Sequence, residues 1–261
     1  MSDPQFGMYA KDQNFAQETA NFEFAIANIN RLHPRFVVIC GDLVNHRGDL
    51  RQIAEYRRIL KNIDPTIPIY SVAGNHDVGD VPTMETLQAF RQNIGPDYYT
   101  FASDNILGIV LDSNLIRAPQ GAPQQAQEQK QWLIQTLQVS RSDKHKQIVV
   151  FQHIPYFINN ANESDDYFNI PQVHRRIYLD LLKRAGVKYV FAGHYHRNAG
   201  GVDGQLTEIV TGAVGKPLGG SVSGFRIVAV EGDTLNTAWY CFGGVPNQLV
   251  PGELFNTPCH Q

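Results

Sequence analysis

The sequence predicts an α/β protein built on largely parallel strands, and three observations carry that expectation. Four β-branched or aromatic runs, 36–42 (FVVICGD), 67–77 (IPIYSVAGNHD), 148–155 (IVVFQHIP) and 187–196 (VKYVFAGHYH), are continuously apolar rather than alternating. That pattern suits strands covered on both faces. Helical stretches separate them, at about 12–32, 49–62, 83–93, 122–139 and 171–185, the last opening after Pro171. Finally, each run stops at Gly, Gln or Ala and then gives Asp, Asn or His.

The remaining elements follow from local pattern. Residues 97–114 read as a hairpin turning at Asp104-Asn105. After residue 200 the pattern is all strand, with a Gly-Asp turn at 232–233. The tail after Gly243 carries Pro246, Pro251 and Pro258 and is expected to be irregular, closing a single domain over 1–261. The stretch 155–171 (PYFINNANESDDYFNIP) is acidic, Asn-rich and loop-like. It begins directly after His153, which favours a lid over a site.

Composition narrows the function classes. A chain of 261 residues with 43% hydrophobic and 18% charged residues buries a substantial core. A net charge of −3 argues against a general polyanion-binding surface, so nucleic acid is not an expected partner. No apolar run approaches the ~20 residues that span a bilayer, and no signal segment opens the chain, so no membrane partner is expected. Cys40, Cys241 and Cys259 form neither a disulfide framework nor a cysteine zinc site. A reducing, cytoplasmic setting is the expectation, with Cys40 as a small buried hydrophobe. Asp3 follows only two residues where a full central strand is expected, so the natural polypeptide is expected to extend upstream.

Right-handed crossovers bring the C-terminal ends of parallel strands to one edge. Asp42, Asn75, His76, Asp77, His153, His194 and His196 are therefore expected at one rim, although they span most of the chain. His194 and His196 share a face if the chain remains extended past its strand. Metal is the candidate object, because neutral imidazole is the commonest metal ligand. Asp77 is expected to hold its loop. His33, His145, His174 and His260 are assigned no chemistry.

Asp3, "GD" at 41–42, "GNHD" at 74–77, His153 and "GHYH" at 193–196 occur in order, and together they resemble the motif set of the calcineurin-like metallophosphoesterases. The resemblance runs from the first residues to about 240 and is strongest to a subfamily described as serine/threonine protein phosphatases. It implies a four-layer α/β sandwich, with two mixed β-sheets face to face and helices outside. It also implies two metal ions (Mn, Fe or Zn), with Asp42 bridging them. Asp3, Gln5 and His196 complete one site; Asn75, His153 and His194 complete the other. The implied chemistry is hydrolysis of a phosphomonoester by a metal-activated water, with His76 as general acid. The implied substrate is a phosphorylated protein or a small phosphate ester. A phosphodiesterase acting on cyclic nucleotides or glycerophosphodiesters, and a non-catalytic binding scaffold, are the alternatives.

Two departures from the family pattern bear on the site. Gln5 stands where most relatives carry a histidine, and a neutral amide is the weaker ligand. Asn45 replaces an aspartate that orients the catalytic histidine in phosphoprotein phosphatases, and such an Asn is common among diesterase relatives. His46 replaces their phosphate-binding arginine, which leaves His46 and Arg197 as candidates to contact the substrate phosphate.

Overall fold

The computed structural model describes residues 1–140, 147–232, 234–249 and 254. The expectations for His145, Asp233, Pro251, Pro258, Cys259 and His260 lie outside them. In chain order the elements are α1 (Ala16–Leu32), β1 (Val37–Ile39), α2 (Leu50–Leu60), β2 (Ile69–Ser71), α3 (Asn75–Val78) and α4 (Met84–Asn93). Then come β3 (Tyr99–Ser103), β4 (Ile106–Val110), α5 (Ser113–Arg117), α6 (Pro123–Ser140) and β5 (Gln147–Phe151). The chain continues with α7 (Gln172–Arg184), β6 (Tyr189–Ala192), β7 (Ala199–Asp203), β8 (Leu206–Val210), β9 (Gly224–Glu231) and β10 (Thr234–Cys241).

Four of the five predicted helices keep their places within two residues, but α1 starts four residues late. The chain before it is folded into turns: Met8 N–H donates to Gln5 O and Asp12 N–H to Gly7 O, with Lys11 and Asp12 in the left-handed region. The Asp104-Asn105 hairpin forms as expected between β3 and β4. Its second arm, however, ends at Val110, and Asp112 then caps the short helix α5 by accepting from Asn114 N–H. The four predicted strand runs are likewise cut short, to Val37–Ile39, Ile69–Ser71, Gln147–Phe151 and Tyr189–Ala192. Residues 75–77 turn into α3, and the 187–196 run leaves the sheet at Ala192.

β1 and β2 pair in parallel, and β9 and β10 pair antiparallel. The largest sheet has the order β3-β4-β5-β6-β8-β7. It is mixed, with parallel pairs from β4 through β6 to β8 and antiparallel pairs at both edges. Three apolar clusters explain the layering. Val38, Cys40 and Val72 from the β1–β2 side meet Phe101, Val149, Phe151, Phe191 and Ile209 of the larger sheet. Tyr70 stacks on Phe101 across that gap at 3.7 Å between ring centroids. Outside β1–β2, Phe22, Ile26, Tyr56 and Ile59 of α1 and α2 pack on Ile39 and Leu43. Outside the larger sheet, Leu133 and Leu137 of α6 and Tyr178, Leu179 and Leu182 of α7 pack on Ile109, Val150 and Val190. Each such side chain, fully buried, contributes about 1.5–3 kcal/mol, so the helix–sheet–sheet–helix order is what the apolar pattern stabilises. Among the described residues, no helix is long and apolar enough to cross a membrane.

Candidate active site

Every strand that the sequence marked does deliver its polar end to one rim, but not by strand alternation. Asp3, Gln5, Asp42, His194 and His196 all have positive φ, at 52°, 39°, 50°, 68° and 56°. Such values are uncommon for non-glycine residues and gather at functional sites. The expectation that His194 and His196 share an extended face is therefore corrected. The chain turns after Ala192, with Tyr195 N–H donating to Gly193 O at 2.7 Å, and the turn aims both rings into the rim. The turns are crowded: a Cβ on Gly74 would lie 2.2 Å from the main-chain nitrogen of Asp42.

Two overlapping triads result. Ligand atoms of Asp42, His153 and His194 lie within 4.8 Å of one another, and so do those of Asp3, Asp42 and His196. Asp42 belongs to both. His153 Nε2 is 3.2 Å from Asp42 Oδ2, and His196 Nε2 is 3.3 Å from Asp3 Oδ1. Asn75 joins the first triad, its Oδ1 3.1 Å from His153 Nε2. Gln5 sits beside the second. Its Nε2 donates to Asn45 Oδ1 at 3.2 Å, while its Oε1 is buried with no hydrogen-bond partner among the described residues. An unsatisfied buried acceptor costs about 1–3 kcal/mol.

The imidazoles are oriented by main-chain carbonyls. His153 Nδ1 donates to Cys40 O at 2.7 Å, His196 Nδ1 to Lys216 O at 2.6 Å, and His194 Nε2 to Tyr167 O at 3.0 Å. Each ring thereby keeps its other nitrogen free as a donor atom for metal, the arrangement that metal-ligating histidines use. The electrostatics agree. Burial opposes ionisation of Asp42, but the neighbouring His153 outweighs it and holds the carboxyl well below the usual range. Burial also acts against charge on His153, yet without metal Asp42 and Asp3 raise it to about 9, so a cation held at Nε2 would take the place of a proton. His194 is lowered to about 3, by burial first and by His153 second, and so stays neutral. Shared carboxylate, free imidazole nitrogens and an orphaned amide oxygen make a donor set that fits two cations.

His76 points its Nδ1 to the carbonyl of Asn45 at 2.6 Å, and its main-chain N–H donates to Asp42 Oδ1 at 2.8 Å. The histidine is therefore oriented by the main chain of Asn45 rather than by its amide, the group the sequence pointed to. That amide instead accepts from Gln5 and donates to Asp12 Oδ1 at 2.8 Å. Gln52 completes this network by accepting from the N–H groups of Asn45 and His46. Asp77 holds the loop as expected, accepting from the N–H groups of Leu43, Val44 and Gly74. His46 is exposed. Arg197 lies over the ring of Tyr195, 3.9 Å from its centroid.

The 155–171 segment does reach the rim, through residues the sequence did not single out. Tyr167 accepts from Asn75 Nδ2 at 3.2 Å, and its ring centroid is 4.9 Å from that of His194. Phe168 packs on His194 and Tyr195. Asp80 accepts a second bond from Asn75 Nδ2 at 3.3 Å. The only sequence signal for Tyr167 and Phe168 was their loop's position after His153.

Comparison with known proteins matches the chain to one family. The profile of the calcineurin-like phosphoesterases matches residues 1–198. Serine/threonine-protein phosphatase CPPED1 of Mus musculus is 37% identical over 268 residues, covering 95% of this chain and 86% of its own. Its Homo sapiens counterpart is 35% identical over 271 residues, covering 98% and 86%. Among solved structures, the purple acid phosphatase PPD1 of yellow lupin (Lupinus luteus) superposes with a TM-score of 0.67 at 14% identity. That match covers 98% of this chain and 52% of the lupin chain, and is a likeness of fold.

Proposed function

Because this chain belongs to the calcineurin-like phosphoesterase family, a family of metal-dependent hydrolases, we propose that it removes phosphate from phosphoserine and phosphothreonine in proteins. We assign Asp3, Gln5, Asp42 and His196 to a first metal position and Asp42, Asn75, His153 and His194 to a second. The observation that carries this reading is the membership of Asp42 in both triads. Mixed oxygen and nitrogen donors suit Mn, Fe or Zn. When bound, two such ions supply Lewis-acid polarisation of the phosphoryl group and acidity for an attacking water.

The chain's own residues supply the rest. The His76 ring is held by Nδ1–H to Asn45 O, which leaves Nε2 to carry the proton that the departing alkoxide needs. The Asn45 amide holds Gln5 so that Oε1, not Nε2, is available to the first metal position. Arg197, fixed on Tyr195 next in chain to His196, presents positive charge to the substrate phosphate, and His46 stands at the exposed edge. The protein-phosphatase assignment is supported by the name of the mouse and human relatives. A cytoplasmic setting is supported by the cysteine usage, three scattered residues with no CxxC pair and no disulfide framework in their spacing.

The test is turnover of p-nitrophenyl phosphate, its bis ester and a phosphoserine peptide, each with and without added Mn. Mn-dependent release from the monoester and the peptide is expected. Faster release from the bis ester would replace the reading with a phosphodiesterase. No release from any of the three, with two ions bound, would leave a binding scaffold.

A further inference from the structure

The second metal position contains an amide ligand, Asn75, whose two ends differ in kind. Only its oxygen serves a cation, so something must determine which way the amide faces. Both of its N–H donors are engaged on the far side, by Tyr167 Oη at 3.2 Å and Asp80 Oδ1 at 3.3 Å. Its Oδ1 is thereby directed toward His153. The same tyrosine acts on a second ligand through its main chain, since its carbonyl accepts from His194 Nε2 at 3.0 Å. That bond selects the tautomer whose Nδ1 is free. One loop residue thus orients two of the four second-site ligands.

The loop is built to hold that residue in place. Arg175 of α7 is fully buried, yet among the described residues no carboxylate hydrogen-bonds to it; the Asp165 Oδ1 oxygen is 3.9 Å from its Nη2. Its guanidinium instead donates to three carbonyls of the loop: Ile170 O at 2.9 Å, Ala161 O at 3.1 Å and Glu163 O at 2.8 Å. Within the loop, the Glu163 carboxylate accepts from the N–H groups of Ile158, Asn159 and Asn160 and from Asn169 Nδ2. Arg117 lies over the Tyr167 ring, 5.0 Å from its centroid, and pairs with Asp80 at 3.2 Å. Burying an arginine is costly unless it is bonded; among the described residues all three of its hydrogen bonds go to the segment that carries Tyr167, and its Nη2 has none.

We propose that Tyr167 is a positioning residue that sets the metal affinity of the second site, by aiming the Asn75 oxygen and the His194 Nδ1, and that Arg175 acts through the loop to hold it there. The proposal rests on the two-metal reading above, and its test does not require substrate. Calorimetric titration of the purified, metal-stripped protein with MnCl2 measures each binding step. A His196→Ala background isolates the Asp42–Asn75–His153–His194 set.

Tyr167→Phe keeps the ring, the Arg117 contact and the carbonyl, and removes only the bond to Asn75. It should weaken Mn binding at the second site about 10-fold, the lower end of what loss of a ligand-orienting partner produces. Arg175→Met should weaken it further, because the carbonyl on His194 is displaced as well, and Arg175→Lys should recover part of the loss. Wild-type affinity in Tyr167→Phe would overturn the positioning role while leaving the two-metal reading intact, as would equal weakening of both sites. A wild type that takes up no divalent ion would overturn both.

Discussion

His153 Nε2 lies 3.2 Å from Asp42 Oδ2, while the opposite nitrogen of the same ring donates to the carbonyl of Cys40 at 2.7 Å. The imidazole is thus locked by the end of β1 and turns its other nitrogen toward the one carboxylate that both triads share.

Sharing makes Asp42 the residue on which both metal positions depend. Asp42→Asn keeps the shape and the acceptor for His76 N–H but removes the charge. The variant should lose both ions, read as metal equivalents by elemental analysis after dialysis. Retention of two full equivalents would exclude a bridging role.

His76 touches the rim without belonging to either triad. His76→Ala should therefore keep the wild-type metal content while turnover of a phosphomonoester falls by roughly 10²–10⁴-fold, the range for a lost general acid. Parallel metal analysis and steady-state kinetics decide the matter. Loss of metal along with activity would move His76 into the ligand set.

Gln5 has an orphaned oxygen, so its removal should be felt at one site only. In Gln5→Leu the first position should lose its ion on dialysis while the second retains one, giving a stoichiometry near one per chain. Unchanged stoichiometry would mean that Gln5 Oε1 is not a ligand.

Asp112 gives a pH dependence that does not involve the ligand set. Burial, and secondarily the Asp97 carboxylate, push its carboxyl from 3.8 up to about 7, although Asn114 donates to it twice. Between those values the folded chain holds a proton that the unfolded chain has released. Asp112 therefore lowers stability progressively as pH rises from about 4 to 7, and by a constant amount above, with a ceiling of roughly 4 kcal/mol. Asp112→Asn should remove this dependence. In urea titrations, the stability difference between variant and wild type should grow from pH 4 to 7 and then level off. A difference that is flat with pH would show that Asp112 ionises normally.

Which residues meet was legible in the order of residues along the chain. Continuous apolar runs placed four strands, helical stretches separated them, and the Asp, Asn and His that end each run identified the rim before any coordinates, because parallel strands joined by crossovers bring their C-terminal ends together. The motifs shared with the family implied the layering and the division of ligands proposed above. How those residues are aimed depends on long-range packing and backbone turns that no local pattern encodes. His194 and His196 do not alternate along a strand but are turned in by left-handed backbone, which no residue type there announces. The orientation of His76, His153, His194 and His196 depends on the carbonyls of Asn45, Cys40, Tyr167 and Lys216. Every residue carries the same main-chain oxygen, so its use in orienting a ring leaves no mark on the sequence. Tyr167 was hidden for a related reason: it acts on ligands far from it in sequence, and only the packing of the 155–171 loop on Arg175 brings it to them.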